Sequence, residues 1–303
     1  MRTSLLLAFL GMSTLLFVAS CGDSFSTVLD VEPPEFESQM TFSTFIDNEE
    51  PFVGFFAGRN RDIFVDGDFD EFELDDVSIT VTNHSTDEIL IGQELDTTGF
   101  VGFTYNYFAL DTGFFTPGAE YTFLLEHADF PDSETRLQFP PVSDNLENLS
   151  YKQIDGINLE GNENSSITFE IVDDPNNADF YELELMTLDG FNTFGTFWIE
   201  STDPSALKGF PEDNLLFSDQ SFNGERKRIT VNFDRFNYDP EVNEALIVRW
   251  KTLSSSAYSY SLSARRFVNT IDTPFLSPVQ IHSNVNDAIG IISFKGVTEY
   301  VIN

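Results

Sequence analysis

The sequence has little cysteine, little positive charge and few histidines. Its single cysteine among 303 residues excludes a disulfide-stapled scaffold and a metal site built from several cysteines. Only 15 Lys and Arg side chains stand against 51 Asp and Glu, which gives a formal net charge of -36. Because phosphate backbones are bound through Lys and Arg, we expect no nucleic-acid partner. The 3 histidines, His84, His127 and His282, form no recognisable catalytic or metal-binding signature.

Long hydrophobic runs are also missing beyond the first twenty residues. The stretch from Leu5 to Val18 is apolar or small and is too short for a membrane-spanning helix, which needs about 20 residues. It fits the hydrophobic region of a secretory signal. The residues that follow, Ala19-Ser20-Cys21, resemble a bacterial lipobox with the only thiol of the chain at the lipidated position. We therefore predict a lipoprotein signal peptide over residues 1–20, lipidation of Cys21 and a tether over residues 21–34. An ordinary signal peptide with an incidental cysteine is the alternative.

Lipidation of Cys21 predicts a location as well as an anchor. Each buried CH₂ of an acyl chain contributes about 0.8 kcal/mol, so two chains hold a protein stably at a membrane. Gly22 follows the cysteine, where enterobacterial lipoproteins that stay in the inner membrane carry Asp. The expected location is the outer membrane, with the membrane as a partner through the N-terminal lipid. Whether the protein lies on the cell surface or the periplasmic face is left open.

Apolar residues make up 41% of the chain and aromatic residues 15%, enough for real hydrophobic cores despite the charge. Residues 77–82 and 121–126 alternate between apolar and polar side chains, as in strands with one buried face. Nothing between Pro33 and Pro140 shows sustained helical periodicity. We predict an N-terminal antiparallel β-sandwich over residues 35–141, immunoglobulin-like or transthyretin-like in form.

Pro140-Pro141 is the predicted domain boundary, because two prolines cannot continue a central strand. Residues 142–303 form the second predicted domain, with strand patterns at 166–171, 181–186, 229–233 and 245–250. One amphipathic helix is predicted near residues 254–268, capped by Ser254 or Ser255. The predicted fold is mostly β, with two sandwich-like domains and at least one helix packed on the second.

An acidic segment is a candidate cation site. Asp66, Asp68 and Asp70 present carboxylates at alternate positions, as loops that collect oxygens around Ca²⁺ do. The segment is not an EF-hand, because Glu71 stands at the position that needs Gly and Val77 at that of the terminal Glu. A solvated acidic loop is the alternative to a weak calcium site. We expect no other cofactor.

Phe55 and Phe56 are candidate binding residues. Gly54 and Gly58 flank the pair, which suggests a flexible loop with two exposed rings rather than a packed strand. The aromatic-rich segment 99–115 could also bind a partner, but such residues more commonly fill a sandwich core.

Catalysis has little support in the sequence. A G-x-S-x-G nucleophile elbow is missing, and 51 acids offer many carboxylate pairs without marking one that would flank a glycosidic bond. We expect no enzymatic activity, and a surface hydrolase is the least favoured alternative.

Several segments resemble motifs of a known family. The most specific is Leu276–Gly290, which is similar to the family's closing motif. The others are Phe217-Ser218-Asp219 with Phe222-Asn223-Gly224, the helix around Tyr258 and Tyr260, and Val28–Val31 after the lipidated cysteine. The family is the domain-of-unknown-function family numbered 4249, found in Bacteroidota lipoproteins. The sequence departs from it at Asp287-Ala288, where a Gly is common.

The resemblance implies an outer-membrane lipoprotein, often encoded near TonB-dependent transporters, and it implies no catalytic residues. We therefore expect a non-enzymatic accessory or binding component of a TonB-dependent uptake system, with the transporter as partner. A structural or adhesive cell-surface module is the alternative.

Overall fold

The computed structural model describes residues 36–60, 72–95, 105–111, 113–157, 163–176, 179–189, 192–195, 199–210, 213–234, 238–271 and 279–302. Contacts divide the chain into Met1–Glu37, of which residues 36 and 37 are described and lack regular structure, and the compact unit Ser38–Asn303. The strands, in chain order, are β1 Met40–Asp47, β2 Phe52–Arg59, β3 Ser78–Asn83, β4 Ile89–Ile91, β5 Gln93–Glu94, β6 Tyr107–Leu110, β7 Glu120–His127, β8 Phe130–Gln138, β9 Leu146–Ile157, β10 Glu163–Val172, β11 Phe180–Asp189, β12 Asn192–Gly195, β13 Leu207–Lys208, β14 Asn214–Ser218, β15 Arg226–Asp234, β16 Ala245–Leu253 and β17 Ile289–Ile302. Helix α1 spans Ser255–Ile271, and a 3₁₀ turn spans Asp219–Ser221.

The strands form three sheets. The largest has ten strands in the order β13-β14-β11-β16-β17-β1-β2-β6-β5, with β12 paired to β11. A four-stranded sheet has the order β4-β3-β7-β8, and a three-stranded sheet has the order β15-β10-β9. Strands β1 and β17 pair in parallel, whereas their other neighbours in the large sheet pair antiparallel.

Each smaller sheet packs against one end of the ten-stranded sheet over its own core. The N-terminal core joins β1, β2 and β6 to the four-stranded sheet, with Phe139 stacked on Phe294 at 4.8 Å between ring centroids. In the C-terminal core, β11, β14 and β16 pack on the three-stranded sheet, and Trp250 stacks on Tyr181 at 4.8 Å. The predicted mostly-β fold with two sandwich-like parts is confirmed.

Strand β17 connects the two sandwiches. It lies between β16 and β1, and it contributes Ile292 and Phe294 to the N-terminal core and Tyr300 and Ile302 to the edge of the other. The predicted boundary at 140–141 lies between the two cores, but the ten-stranded sheet continues across it. Residues 142–303 therefore do not form a separate domain, since their last strand also completes the N-terminal sandwich. Local sequence patterns cannot reveal a parallel pairing between strands this far apart in the chain.

Helix α1 packs on the face of the large sheet that is opposite the C-terminal core. Ala257 and Ala264 are buried, and Ala257 clusters with Leu216 and Leu253. The Ser254 hydroxyl accepts a hydrogen bond from the Ala257 N–H at 3.2 Å, which is the predicted N-cap. The predicted helix is confirmed and extends three residues further than expected. In the described part of the chain, no helix has the length and apolar character that crossing a membrane requires.

Candidate functional site

A cavity of about 400 Å³ lies between helix α1 and the centre of the ten-stranded sheet. Its size falls within the range of small-molecule sites, about 300–1,000 Å³. Aromatic side chains form much of its wall, namely Phe45 of β1, Tyr260 of α1 and Phe210 from the segment after β13. Its charged lining consists of Lys251, Lys295 and Asp47.

Strand alternation brings these charged side chains to the helix-covered face. In β16, Val248 and Trp250 point into the C-terminal core, so the residues between and beyond them point to the other face. Sheet register then pairs opposite charges, which are worth up to about 1 kcal/mol per cross-strand pair. The paired positions are Glu182 with Lys251, Glu184 with Arg249, and Asp47 with Lys295.

Glu182 lies at the centre of a charge network that it forms with Lys251, Lys295, Glu184 and Arg249. Its side chain is 2% exposed, and both of its oxygens lie 3.0 Å from Lys295 Nζ. Lys251 Nζ donates to Glu182 Oε1 at 2.9 Å. Burial alone would raise the pKa of Glu182, but the two ammonium groups outweigh it and lower the pKa to about 2. Glu182 is therefore ionised throughout the neutral range.

Lys251 joins this centre to a second group of charges. Burial lowers its pKa, but Glu182 and Glu184 outweigh that effect and raise the pKa of Lys251 above its usual value. Lys251 Nζ is 2.7 Å from Glu184 Oε2, and Arg249 lies 2.7 Å from Glu49 and 3.1 Å from Glu299.

Helix α1 holds the aromatic wall in place through hydrogen bonds and a ring contact. Ser261 Oγ accepts a hydrogen bond from the Phe210 N–H at 2.9 Å and donates to the Phe210 carbonyl at 3.3 Å. Phe45 and Tyr260 contact each other with ring centroids 5.7 Å apart. Phe45 and Phe210 remain 40% and 39% exposed, so the wall is open to solvent at its rim. The cavity thus has an apolar, partly exposed side and a charged floor.

The structure contradicts the exposure predicted for Phe55. Phe55 lies in strand β2, is fully buried and packs on Phe42 with ring centroids 5.9 Å apart, and Phe56 is half-buried. The flanking glycines are required by close packing instead of flexibility. A Cβ on Gly54 would lie 2.4 Å from the ring of Tyr105, which is inside van der Waals contact.

The other predicted site residues lie outside the described residues. These are Cys21 and the acidic segment with Asp66, Asp68 and Asp70. Among the residues that the structure does describe, no group of three or more His, Cys, Asp or Glu side chains is arranged to hold a metal ion.

The segment that resembles the family's closing motif is hydrogen-bonded to β17 through Asn284. The side chain of Asn284 accepts from the Ile292 N–H at 2.8 Å and donates to the Ile292 carbonyl at 2.9 Å. Asn286 donates to the Glu134 carbonyl at 2.8 Å, which ties the motif to β8. Asp287, at the position where Gly is common, has φ 52°, a left-handed conformation that Gly adopts readily.

The second motif stabilises the turn after β14. Asp219 is buried and accepts from the Asp179 N–H at 2.9 Å, while the Gly224 N–H donates to Asp173 at 2.8 Å. Both carboxylates therefore satisfy backbone donors of a loop. Burial is the main cause that raises the pKa of Asp173.

Glu182, Lys251 and Lys295 are not among the site residues predicted from the sequence. Each lies in a strand with apolar neighbours, and alternate acids in 181–186 face alternate bases in 249–251. That complementarity is a signal in the sequence, but it becomes readable only once β11 and β16 are known to be neighbours.

The family profile named Domain of unknown function (DUF4249) matches residues 30–300 of the chain. A search of the curated proteins finds no match. Among solved structures, the chain is similar to a DUF4785 family protein from Legionella pneumophila, with 9% identity and a TM-score of 0.21. That match covers 70% of this chain and 51% of the other, so the chain spans about half the length of that protein. At such a TM-score the likeness supports no conclusion about fold or function.

Proposed function

We propose, from the premise that this chain belongs to the Domain of unknown function (DUF4249) family, that it is a non-enzymatic, lipid-anchored binding protein of the outer membrane. In this proposal the lipid on Cys21 holds the protein at the membrane, and the β-rich body serves a TonB-dependent uptake system as an accessory component. The cavity beneath helix α1 is its binding site.

The charge network supports binding over proton transfer, and this observation carries the proposal. A general acid or base works best when its pKa is close to the operating pH. The lysines lower the pKa of Glu182 to about 2, and Glu182 and Glu184 raise the pKa of Lys251 above its usual value. Both pKa values move away from neutrality, so the groups keep fixed charges. Fixed charges beside an apolar wall suit the orientation of a ligand.

The anchor is tested by fractionation of cells that produce Cys21→Ser. We expect the unsubstituted protein in the outer-membrane fraction and the variant outside it, because the variant has no thiol to acylate. Ser20→Ala, at the neighbouring position, is the matched control and stays with the membrane. A variant that partitions like the unsubstituted protein would remove the anchor from the proposal.

The partner is tested by pull-down of the tagged, full-length protein from detergent-solubilised outer membranes, followed by mass spectrometry. We expect a TonB-dependent transporter among the recovered proteins, and recovery without any transporter contradicts the accessory role.

A second candidate, a structural or adhesive surface module, is favoured by an exposed apolar pair. Phe52 and Leu110 are 51% and 64% exposed and are direct neighbours across β2 and β6. Exposed apolar neighbours can mark an interaction surface. Co-transcription with a transporter gene favours the first function, and a solitary gene favours this one.

A further inference from the structure

We propose that the cavity beneath α1 binds small organic anions, with the anionic group of the ligand at Lys251 and Lys295 and its apolar part against the aromatic wall. This inference rests on the binding role proposed above, but not on the lipid anchor or the transporter. It adds the chemical class of the ligand.

Lys251 and Lys295 each have an N–H donor that is not directed at a carboxylate. An ammonium group carries three N–H donors. Lys251 directs two of them at Glu182 and Glu184, at 2.9 and 2.7 Å. Lys295 directs its contacts at the two oxygens of a single carboxylate. Each lysine lines the cavity, so a third donor of each is available to a ligand there.

The charge balance of the floor favours an anion. Glu182 is in contact with both Lys251 and Lys295, whereas Arg249 is paired with Glu49, Glu184 and Glu299. Glu182 itself is sealed behind the lysines, with 2% of its side chain exposed. The charged groups that face the cavity are therefore two cations, Lys251 and Lys295, and one carboxylate, Asp47.

Asp47 is the carboxylate among the cavity's lining residues, and its geometry reduces its attraction for a cation. One of its oxygens accepts the N–H groups of Glu49 and Glu50, each at 2.9 Å. Lys295 is its register partner across β1 and β17. A ligand cation would therefore compete with donors that Asp47 already faces.

The apolar wall determines the chemistry of the rest of the ligand. Phe45, Tyr260 and Phe210 offer ring faces and edges, and the rims of Phe45 and Phe210 are open to solvent. Aromatic side chains bury large apolar area and pack well against other rings. An aryl or alkyl carboxylate fits both ends of the cavity.

Calorimetric titration with three probes of equal length tests the inference. The full chain, in phosphatidylcholine nanodiscs, is titrated with 4-phenylbutyrate, 4-phenylbutan-1-ol and 4-phenylbutylamine, and the heat from empty nanodiscs is subtracted. We expect saturable binding of the carboxylate at least tenfold tighter than that of the alcohol, and weaker binding still of the amine. Carboxylate binding that is absent, or no tighter than that of either other probe, overturns the inference.

Two variants locate the binding. Lys295→Met removes one ammonium group and leaves Lys251 to neutralise Glu182, so we expect carboxylate affinity to fall at least tenfold while alcohol affinity holds. Tyr260→Ala trims the wall without touching the charges and should weaken both probes. Lys152→Met, an exposed lysine on β9, is the matched control and should change neither. Unchanged affinity in both cavity variants overturns the assignment to this cavity, and Tyr260→Ala decides it if Lys295→Met fails to fold.

The outcomes separate the inference from the function proposed above. If no probe binds and a transporter is still recovered by pull-down, the ligand class fails and the accessory role stands. If the carboxylate binds and Cys21→Ser remains in the membrane, the anchor fails and the site stands.

Discussion

Glu182→Gln tests the buried charge network most directly. Gln has the shape of Glu without its charge, so the substitution removes the carboxylate and opens no cavity. It leaves the ammonium groups of Lys251 and Lys295 around a neutral side chain, where the carboxylate held them at 2.9 and 3.0 Å. Removal of one partner from a buried ion pair costs about 3–5 kcal/mol of unfolding free energy.

The pKa of Glu182 supplies a second figure and the sign of the pH dependence. Folding lowers the pKa from 4.5 to about 2. At about 1.4 kcal/mol for each pKa unit, this difference is worth about 3 kcal/mol. Because the folded pKa is the lower one, the contribution is complete above about pH 4.5 and is lost as the pH falls toward about 2.

Urea unfolding followed by tryptophan fluorescence measures both effects. We expect Glu182→Gln to be less stable by about 3 kcal/mol at pH 7, and the difference to shrink as the pH falls below about 4. Glu241→Gln, at an exposed position, is the matched control and should stay within about 0.5 kcal/mol of the unsubstituted protein. A difference below about 1 kcal/mol at pH 7, or one that does not change with pH, would refute the account of the network.

Three further predictions test the fold. Gly290→Ala should lower the thermal unfolding midpoint sharply, because its Cβ would lie 1.7 Å from the carbonyl oxygen of Phe42 in β1; a midpoint within error of the original contradicts the close approach. Phe55→Ala should lower the free energy of unfolding by about 3–5 kcal/mol. Phe52→Ala, at a side chain that is 51% exposed, should lower it by about 0.5 kcal/mol or less. Equal losses for the two variants in urea unfolding would contradict the burial of Phe55. Asn284→Ala should cost about 1–3 kcal/mol by the same measurement, since it leaves both backbone groups of one β17 residue without their side-chain partner.

Much of the fold could be predicted where one strand face is buried and the other is polar. Residues 77–82 and 121–126 alternate regularly, and they form most of β3 and β7. The pattern of β2 is different, because Phe-Val-Gly-Phe-Phe-Ala-Gly-Arg places apolar or small residues on both faces. Its glycines suggested a loop, whereas a ring and a backbone carbonyl leave room for no side chain at Gly54 and Gly58.

The candidate site could not be predicted, because its charged residues come from four different strands. Asp47, Glu182, Lys251 and Lys295 lie on β1, β11, β16 and β17, and each strand is locally unremarkable. Only the order of the sheet makes them neighbours. That order depends on the parallel pairing of β1 with β17, which local periodicity does not encode.

The position of β17 has a consequence for how the chain can be divided and how it folds. A fragment that stops before Ile289 would expose the unpaired edges of β1 and β16 in the middle of the large sheet, where edge strands invite aggregation. Neither sandwich can therefore be excised cleanly for separate expression. Because loop closure between β1 and β17 joins distant parts of the chain, the sheet also cannot be completed until β17 has been synthesised. A chain built this way acquires its final form only after its last strand is available.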